Sequence, residues 1–312
     1  MSPRPPPAAP PAAPPQVPPH SSPRRRWAGL LSPWMFLAPA LLVFLYFKFI
    51  PMARGLQMSF YKVSFGDADE WVGLDNFARV FTEEALRGAA GRTLLYVLVT
   101  VSLSAFIALL LAQALQGQAR HLRILRTAIF LPAVTSAAVV AEIWRILYAP
   151  TPAGVVNTVL GWVGVMPKGF FSDPDQALAA LMGMHVWKHV PYDTVIFVAG
   201  LAGVNRELYD AAAVDGANAW QRFVHVTLPG LAPAITVVVT LGCIRGFRVF
   251  TEVYATTGGG PAGSTEVVMT HIYKQGFHEL DFGYAAAAST VLFAFTALAT
   301  AAFLAWRRRG QR

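Results

Sequence analysis

The chain has 312 residues, 55% of them hydrophobic and 13% charged, with a mean hydropathy of +0.46. A water-soluble domain averages about 25% charged residues, so this composition excludes that class and leaves a single membrane domain. The net charge of +8 sits in short arginine clusters beside apolar runs, which is a topology signal and gives no reason to expect a nucleic-acid partner. The single cysteine, Cys243, lies inside an apolar run, so neither a disulfide framework nor a cysteine metal site is available.

Residues 1–26 open the chain as a Pro/Ala-rich segment ending in Arg24-Arg25-Arg26. Such a composition cannot bury a core, and a disordered cytoplasmic tail is expected, with the transmembrane domain filling 27–312. The apolar run that follows is too long for a signal peptide and has no small-residue cleavage site after it, so it reads as an uncleaved anchor. Six runs are long enough to cross the hydrocarbon core, at about 33–53, 92–116, 124–148, 179–202, 230–254 and 284–306. The third carries Glu142 and Arg145, three residues apart and suited to pair with each other, and the fourth contains Pro191, which is expected to break it.

Lysine and arginine number 4, 3, 2 and 4 in the tail, 117–127, 203–229 and 307–312, against 4, 1 and 1 in 54–91, 149–178 and 255–283. The latter segments are longer in total. The positive-inside rule therefore places both termini in the cytoplasm of a multi-pass protein of the cell membrane. The external segments hold short ordered loops, with Trp71 to Leu74 and Asn76-Phe77 in the first and Pro/Gly/Asn turn chemistry in the second. None approaches domain size, so capture of a free ligand is expected to fall to another protein. No GxxxxGK phosphate loop occurs, so no cofactor is expected on this chain and ATP and Mg²⁺ are expected on a partner.

Residues 205–229 form a polar island between two apolar runs, and from Glu207 they read ELYDAAAVDGANAWQRFVHVTLP. Asp215-Gly216 is a strong breaker and Asn218 a good N-cap, which predicts helix, tight turn, helix, and then Pro229 opening the next long segment. A turn leaves backbone groups unpaired and cannot face lipid, so this elbow must lie in water at the membrane surface.

The elbow resembles the EAA loop of ATP-binding-cassette importer permeases. The likeness runs through Tyr209-Asp210-Ala211-Ala212, Asp215-Gly216-Ala217 and Thr227-Leu228-Pro229, with Asp210 where the pattern has Glu. Phe130-Leu131-Pro132, Trp187-Lys188, Pro191-Tyr192 and Thr257-Gly258-Gly259-Gly260-Pro261 are similar to carbohydrate importers, and to the first permease subunit of the maltose type. The resemblance implies an all-α, six-helix type I importer permease fold. It also implies a second permease subunit, two copies of a cytoplasmic ATPase, and an extracytoplasmic substrate-binding protein as partners in the lipid bilayer. Glu207, Asp210, Ala211, Ala212, Asp215, Gly216, Leu228 and Pro229 then become the ATPase-coupling residues.

Charges inside spans cost about 2.5–3.5 kcal/mol each on insertion scales and usually face a cavity or a partner. His185, Lys188, His189 and Tyr192 recur at three- and four-residue steps with Asp193 beside them, and Arg245, Arg248 and Glu252 do the same on the fifth span. At 1.5 Å per residue, Lys188 and Arg245 both lie roughly 8–14 Å below the external surface. The maltose-type resemblance carries sugar-contacting positions onto His185, Lys188, His189, Tyr192, Gly242, Arg245, Gly246 and Val249. Cations replace several of the amides and aromatics of a neutral-sugar site. That opens two readings: an anionic cargo such as glycerol phosphate, or ion pairing of Arg245 and Arg248 with Glu252 or the second permease. Two other classes fit the sequence less well. An ion-coupled secondary transporter needs no elbow, and an enzyme built on His185 and His189 lacks an acid/base or metal constellation, so no metal site is expected.

Overall fold

A computed structural model describes residues 23–63, 69–117 and 120–309. The expected tail falls on residues 1–22, outside this range, except that Pro23–Arg26 already form the first turn of a helix. The chain divides into two compact units, Met1–Arg54 and Gly55–Arg312.

The first unit holds α1 (Pro23–Phe44), a wide π-helical turn at Leu45–Phe49 and the start of α2 (Ile50–Met58). Its apolar side chains from Trp34 to Ile50 stand mostly exposed, as suits a lipid-facing helix. Lys48 folds its ammonium over the Phe44 ring at 5.6 Å.

In the second unit, β1 (Tyr61–Lys62) and β2 (Glu70–Trp71) pair antiparallel, and Asn76 at the head of α3 (Asp75–Thr82) donates to the carbonyls of Ser59 and Tyr61 at 3.1 and 3.0 Å. This knot is the ordered loop expected around Trp71 and Asn76. The long helix α4 (Glu84–Ala114) buries Ala89, Thr93, Val97, Thr100, Ser104, Ala108 and Ala112 at three- and four-residue steps. Small side chains at that period allow backbones to approach closely in lipid, where association rests on packing. Against α4 lies α8 (Pro174–Ala202), which also packs on α5 (Arg120–Val134) and α12 (Ala232–Phe247). The core beneath these helices is built from Tyr96, Val140, Leu181, Met184, Val253 and Val267 at one level and Ala108, Ala112, Phe197, Leu231 and Val238 at another.

The fourth expected span is not broken at Pro191, since α8 runs unbroken from residue 174 to 202. Within a packed helix neighbouring groups re-satisfy what proline frees. The third and fifth spans do break. A bend of 100° separates Ile124–Val134 from α6 (Ala137–Leu147), where Ser136 leaves the helical region and caps α6 through Val139. The fifth run, expected to reach 254, ends its helix at Phe247 and resumes as α13 (Thr251–Thr256). Two shorter helices, α7 (Val155–Trp162) and α14 (Val268–Phe277), lie in the segments between spans, and α15 (Phe282–Arg309) is the last helix.

By length and composition, Trp34–Met58, Glu84–Ala114 and Phe282–Arg309 can each cross a membrane, and the bent pairs 124–147 and 219–247 bring the number to 5 among the described residues. The remaining expected run, α8, is long enough, but its middle carries His185, Lys188, His189 and Asp193. Glu142 and Arg145 pair with each other at 3.2 Å on the exposed face of α6, as their spacing predicts.

Gly242 and Gly246 face α4, where an added Cβ would meet Val101 and Val97. A Cβ on Gly246 would stand 2.9 Å from Val97 Cγ2. Gly246→Leu is therefore expected to force α12 off α4, at about 1–3 kcal/mol of overpacking. A lower thermal midpoint of the detergent-solubilised protein, partly restored by adding Val97→Ala, is the result to look for.

Candidate translocation site and coupling elbow

The two charged stripes meet, but not in the expected pairs. Arg245 Nη2 donates to Asp193 Oδ1 at 2.7 Å, and its guanidinium lies 5.3 Å from the centre of the Tyr192 ring. Asp193 is buried at 1% exposure, and the Arg245 guanidinium is its hydrogen-bonded charge partner there. Glu252 was expected to continue the Arg245/Arg248 stripe. The helix break at Arg248–Phe250 turns it instead toward α8. There Glu252 Oε2 lies 2.6 Å from His185 Nδ1 and accepts from Tyr96 Oη at 3.2 Å, while Oε1 lies 3.6 Å from Lys188 Nζ and 3.9 Å from His189 Nε2. The His185 and His189 rings stack with centroids 4.0 Å apart.

A cavity of about 320 Å³ opens beside these pairs, lined among others by His185, His189, Arg245, Arg248, Val249 and Glu252. Of the eight positions singled out from sequence, His185, His189, Arg245 and Val249 line it. Lys188 reaches Glu252 in its wall, Tyr192 stacks on Arg245, and Gly242 and Gly246 pack on α4. Sequence reasoning missed Tyr96, whose hydroxyl sits in an otherwise apolar stretch of α4. It also passed over Glu252 as a hub, although an acid inside an apolar run is itself a signal. Arg248 lines the cavity with an exposed side chain that has no partner among the described residues.

Trp144 and Trp187 meet edge to face at 5.6 Å and act as packing. In the segment between the fifth and sixth expected spans, Glu266 accepts from His271 Nδ1 at 2.8 Å, and this bond holds the Glu266 carboxyl below its ordinary range. Arg92 Nε donates to the Glu266 carbonyl at 2.7 Å, tying the segment after the Gly-Gly-Pro block to α4.

The elbow folds as its residues predict. Asn205 accepts from the Glu207 amide at 3.0 Å and starts α9 (Arg206–Val214). The helix ends in a Schellman cap: Ala217 N–H donates to Ala212 O at 2.9 Å and Gly216 N–H to Ala213 O at 3.1 Å, with Gly216 at φ +77. Asn218 and Gln221 then form a reciprocal capping box at the start of α10 (Ala219–Arg222). The helix continues through a π-helical turn, Phe223–Thr227, into α11 (Leu228–Gly230). Pro229 thus lies inside the elbow's second helix, and the bend of 65° into α12 comes after Gly230. Tyr209 Oη and Thr227 Oγ1 lie 2.9 Å apart and clip the two arms together.

Leu208, Val214 and Trp220 are 53%, 88% and 70% exposed on this otherwise polar element, a set of apolar side chains that the chain itself does not cover. Glu207, Asp210, Ala211, Asp215 and Gly216 are exposed beside them, Ala212 is half-buried, and the Asp210 carboxylate has no partner among the described residues.

Residues 85–309 match the family model described as binding-protein-dependent transport system inner membrane component. The chain belongs to this family. A permease of Bacillus subtilis described as a probable ABC transporter permease protein is 32% identical over 271 residues, covering 85% of this chain and 92% of that one. The sn-glycerol-3-phosphate transport system permease protein of Agrobacterium fabrum is 31% identical over 273 residues, covering 87% and 92%. A solved bacterial ABC transporter involved in import of the acidic polysaccharide alginate superposes with a TM-score of 0.78 at 26% identity, covering 91% of this chain and 99% of that one. The fold is the type I importer permease fold, all-α and embedded in the membrane.

Proposed function

We propose that this permease carries a carbohydrate or related polyol inward, driven by ATP hydrolysis on a partner chain. The observation that carries the reading is the elbow, a rigidly capped helix–turn–helix with uncovered apolar side chains, in a chain whose relatives include the arabinooligosaccharides transport system permease protein of Halalkalibacterium halodurans, 32% identical over 262 residues. Both termini and the elbow lie in the cytoplasm on the arginine count. The elbow seats in a groove of one ATPase subunit as an amphipathic helix does, the second permease offers its own to the other, and closure of the ATPase pair tips the bundle. A second permease completes the cavity, and an external binding protein delivers the cargo.

A second reading, cargo bearing an acidic group, is favoured by Arg248. Every other Lys, Arg, Asp or Glu at the cavity is matched inside the chain: Arg245 by Asp193, and Glu252 by Lys188 and the histidines. Among the described residues, Arg248 alone adds an unmatched positive charge. Reconstitution into proteoliposomes with the second permease, the ATPase and the binding protein tests both. ATP-dependent uptake is expected. Uptake driven by an ion gradient without ATP would overturn the importer reading. Arg248→Gln is expected to lower uptake of an acidic oligosaccharide about tenfold or more, since a charge-assisted bond contributes about 1.5–3 kcal/mol, with neutral cargo unaffected. Equal effects on both cargoes would remove the acidic reading.

A further inference from the structure

His185 and His189 stand four residues apart on one face of α8, the spacing at which two imidazoles reach one ion. Glu252 enters from α13, and one ligand atom from each of the three side chains lies within 4.8 Å of the others. We infer that His185, His189 and Glu252 form a binding site for a divalent transition metal of the zinc class, and that a bound ion clamps α8 to α13.

The surroundings are organised for such an ion. His189 donates through Nδ1 to the His185 carbonyl at 2.9 Å, which fixes the tautomer and leaves the Nε2 lone pair facing Glu252 Oε1 at 3.9 Å. Glu252 is itself held by the Tyr96 hydroxyl at 3.2 Å, a carboxylate support of the kind that orients metal ligands. Zinc bonds to N and O at about 2.0–2.2 Å, which sets neighbouring tetrahedral ligands roughly 3.3–3.6 Å apart. The His185–Glu252 separation of 2.6 Å must therefore open by about an ångström, and the His189–Glu252 separation of 3.9 Å must close slightly. Both are rotamer-scale adjustments.

Two imidazoles and one carboxylate suit Zn²⁺, Ni²⁺ or Cu²⁺ and not Mg²⁺ or Ca²⁺. Three protein ligands leave one position open, and the cavity that all three line provides entry and a place for water or a cargo hydroxyl. Lys188 is the built-in competitor. Its Nζ lies 3.6 Å from Glu252 Oε1, so it occupies the carboxylate as counter-ion and must swing away when the dication arrives. The affinity is set by Lys188, which no adventitious surface histidine pair would show.

The site joins α8 to the segment beyond the α12 break, so a bound ion holds these two elements together. Zinc at saturating concentration then arrests transport. That last step rests on the import reading; the binding itself does not. The test is direct titration of chelator-stripped, purified complex with zinc chloride, read with a competing colorimetric chelator. One zinc more per copy of this chain is expected in the wild type than in His189→Ala or His189→Gln, with affinity at this site reduced at least about tenfold in either. Lys188→Met is expected to tighten binding severalfold. Equal zinc binding in wild type and both His189 variants would overturn the site, as would an unchanged affinity in Lys188→Met. Restricting the comparison to variants that elute as intact complex keeps misfolding from imitating ligand loss. Zinc binding without inhibition of uptake would overturn the clamp, and failure of uptake in the absence of zinc would bear only on the import reading.

Discussion

Gly216→Pro is expected to abolish nearly all ATP-driven uptake while the membrane-spanning helices stay folded. Gly216 holds φ +77 and donates its amide to Ala213, and proline can do neither, because its ring fixes φ near −65° and it has no N–H. The Schellman cap is lost, and with it the angle between α9 and the helix from Ala219. The cost, about 3 kcal/mol or more, falls on a surface element whose Glu207, Asp210 and Asp215 are exposed, so its effect stays local. Gly216→Asn serves as the control, since asparagine enters the left-handed region readily, and it should keep most activity. Asp210→Lys separates docking from folding. Its carboxylate makes no internal bond among the described residues, so reversal of its charge leaves the elbow intact and acts on whatever faces it. Uptake and co-purification of the ATPase are to be measured together, and normal values for both variants would remove the elbow from coupling.

Glu252→Gln is expected to be the most damaging single change to stability in the bundle. Glu252 is 6% exposed and answers Lys188 and both histidines at once. Removing one member of a buried ion pair typically costs about 3–5 kcal/mol, because the survivor is left charged and unmatched. The double variant Glu252→Gln with Lys188→Met should recover part of that loss, since it also removes the orphaned ammonium. Thermal inactivation of the purified complex reads both, and a double variant no more stable than the single would show that the two groups are not coupled. Asp193→Asn acts on the separate Arg245 pair, and is expected to leave the Glu252 cluster in place.

The spans and the elbow were legible in the sequence because each is written in local chemistry. Apolar length marks the helices, and Asp215-Gly216-Ala217-Asn218 encodes a C-cap, a left-handed residue and an N-cap within four residues. The helix breaks were less legible. Pro191 is the stronger local breaker, yet α8 passes through it, whereas Thr135-Ser136 carries only a weak cap signal and there the chain turns by 100°. Tertiary packing decides both cases.

The long-range charge pairs, unlike Glu142–Arg145, could not be read from spacing. Arg245 finds Asp193 across 52 residues, and Glu252 finds His185 across 67, since the break after Phe247 rotates the helix that carries Glu252. Before that break is known, Arg245, Arg248 and Glu252 look like one stripe. The glycines failed for a related reason. Transfer of positions by resemblance put Gly242 and Gly246 with the cargo contacts, but only the closeness of Val101 and Val97 of α4, which an added Cβ would crowd, marks them as packing positions.

That same break has a hydraulic consequence. A helix of 16 residues rises about 24 Å, short of the roughly 30 Å of hydrocarbon, so α12 alone does not make a full span and its helix ends at Phe247. Non-helical backbone at that depth must meet protein or water, and the cavity lined by Arg248, Val249 and Phe250 brings solvent to it. A water-filled notch beside Arg248 is the expected consequence. A transporter that keeps ion gradients intact must plug such a notch between cycles, so leak conductance is expected to depend on what closes over Arg248.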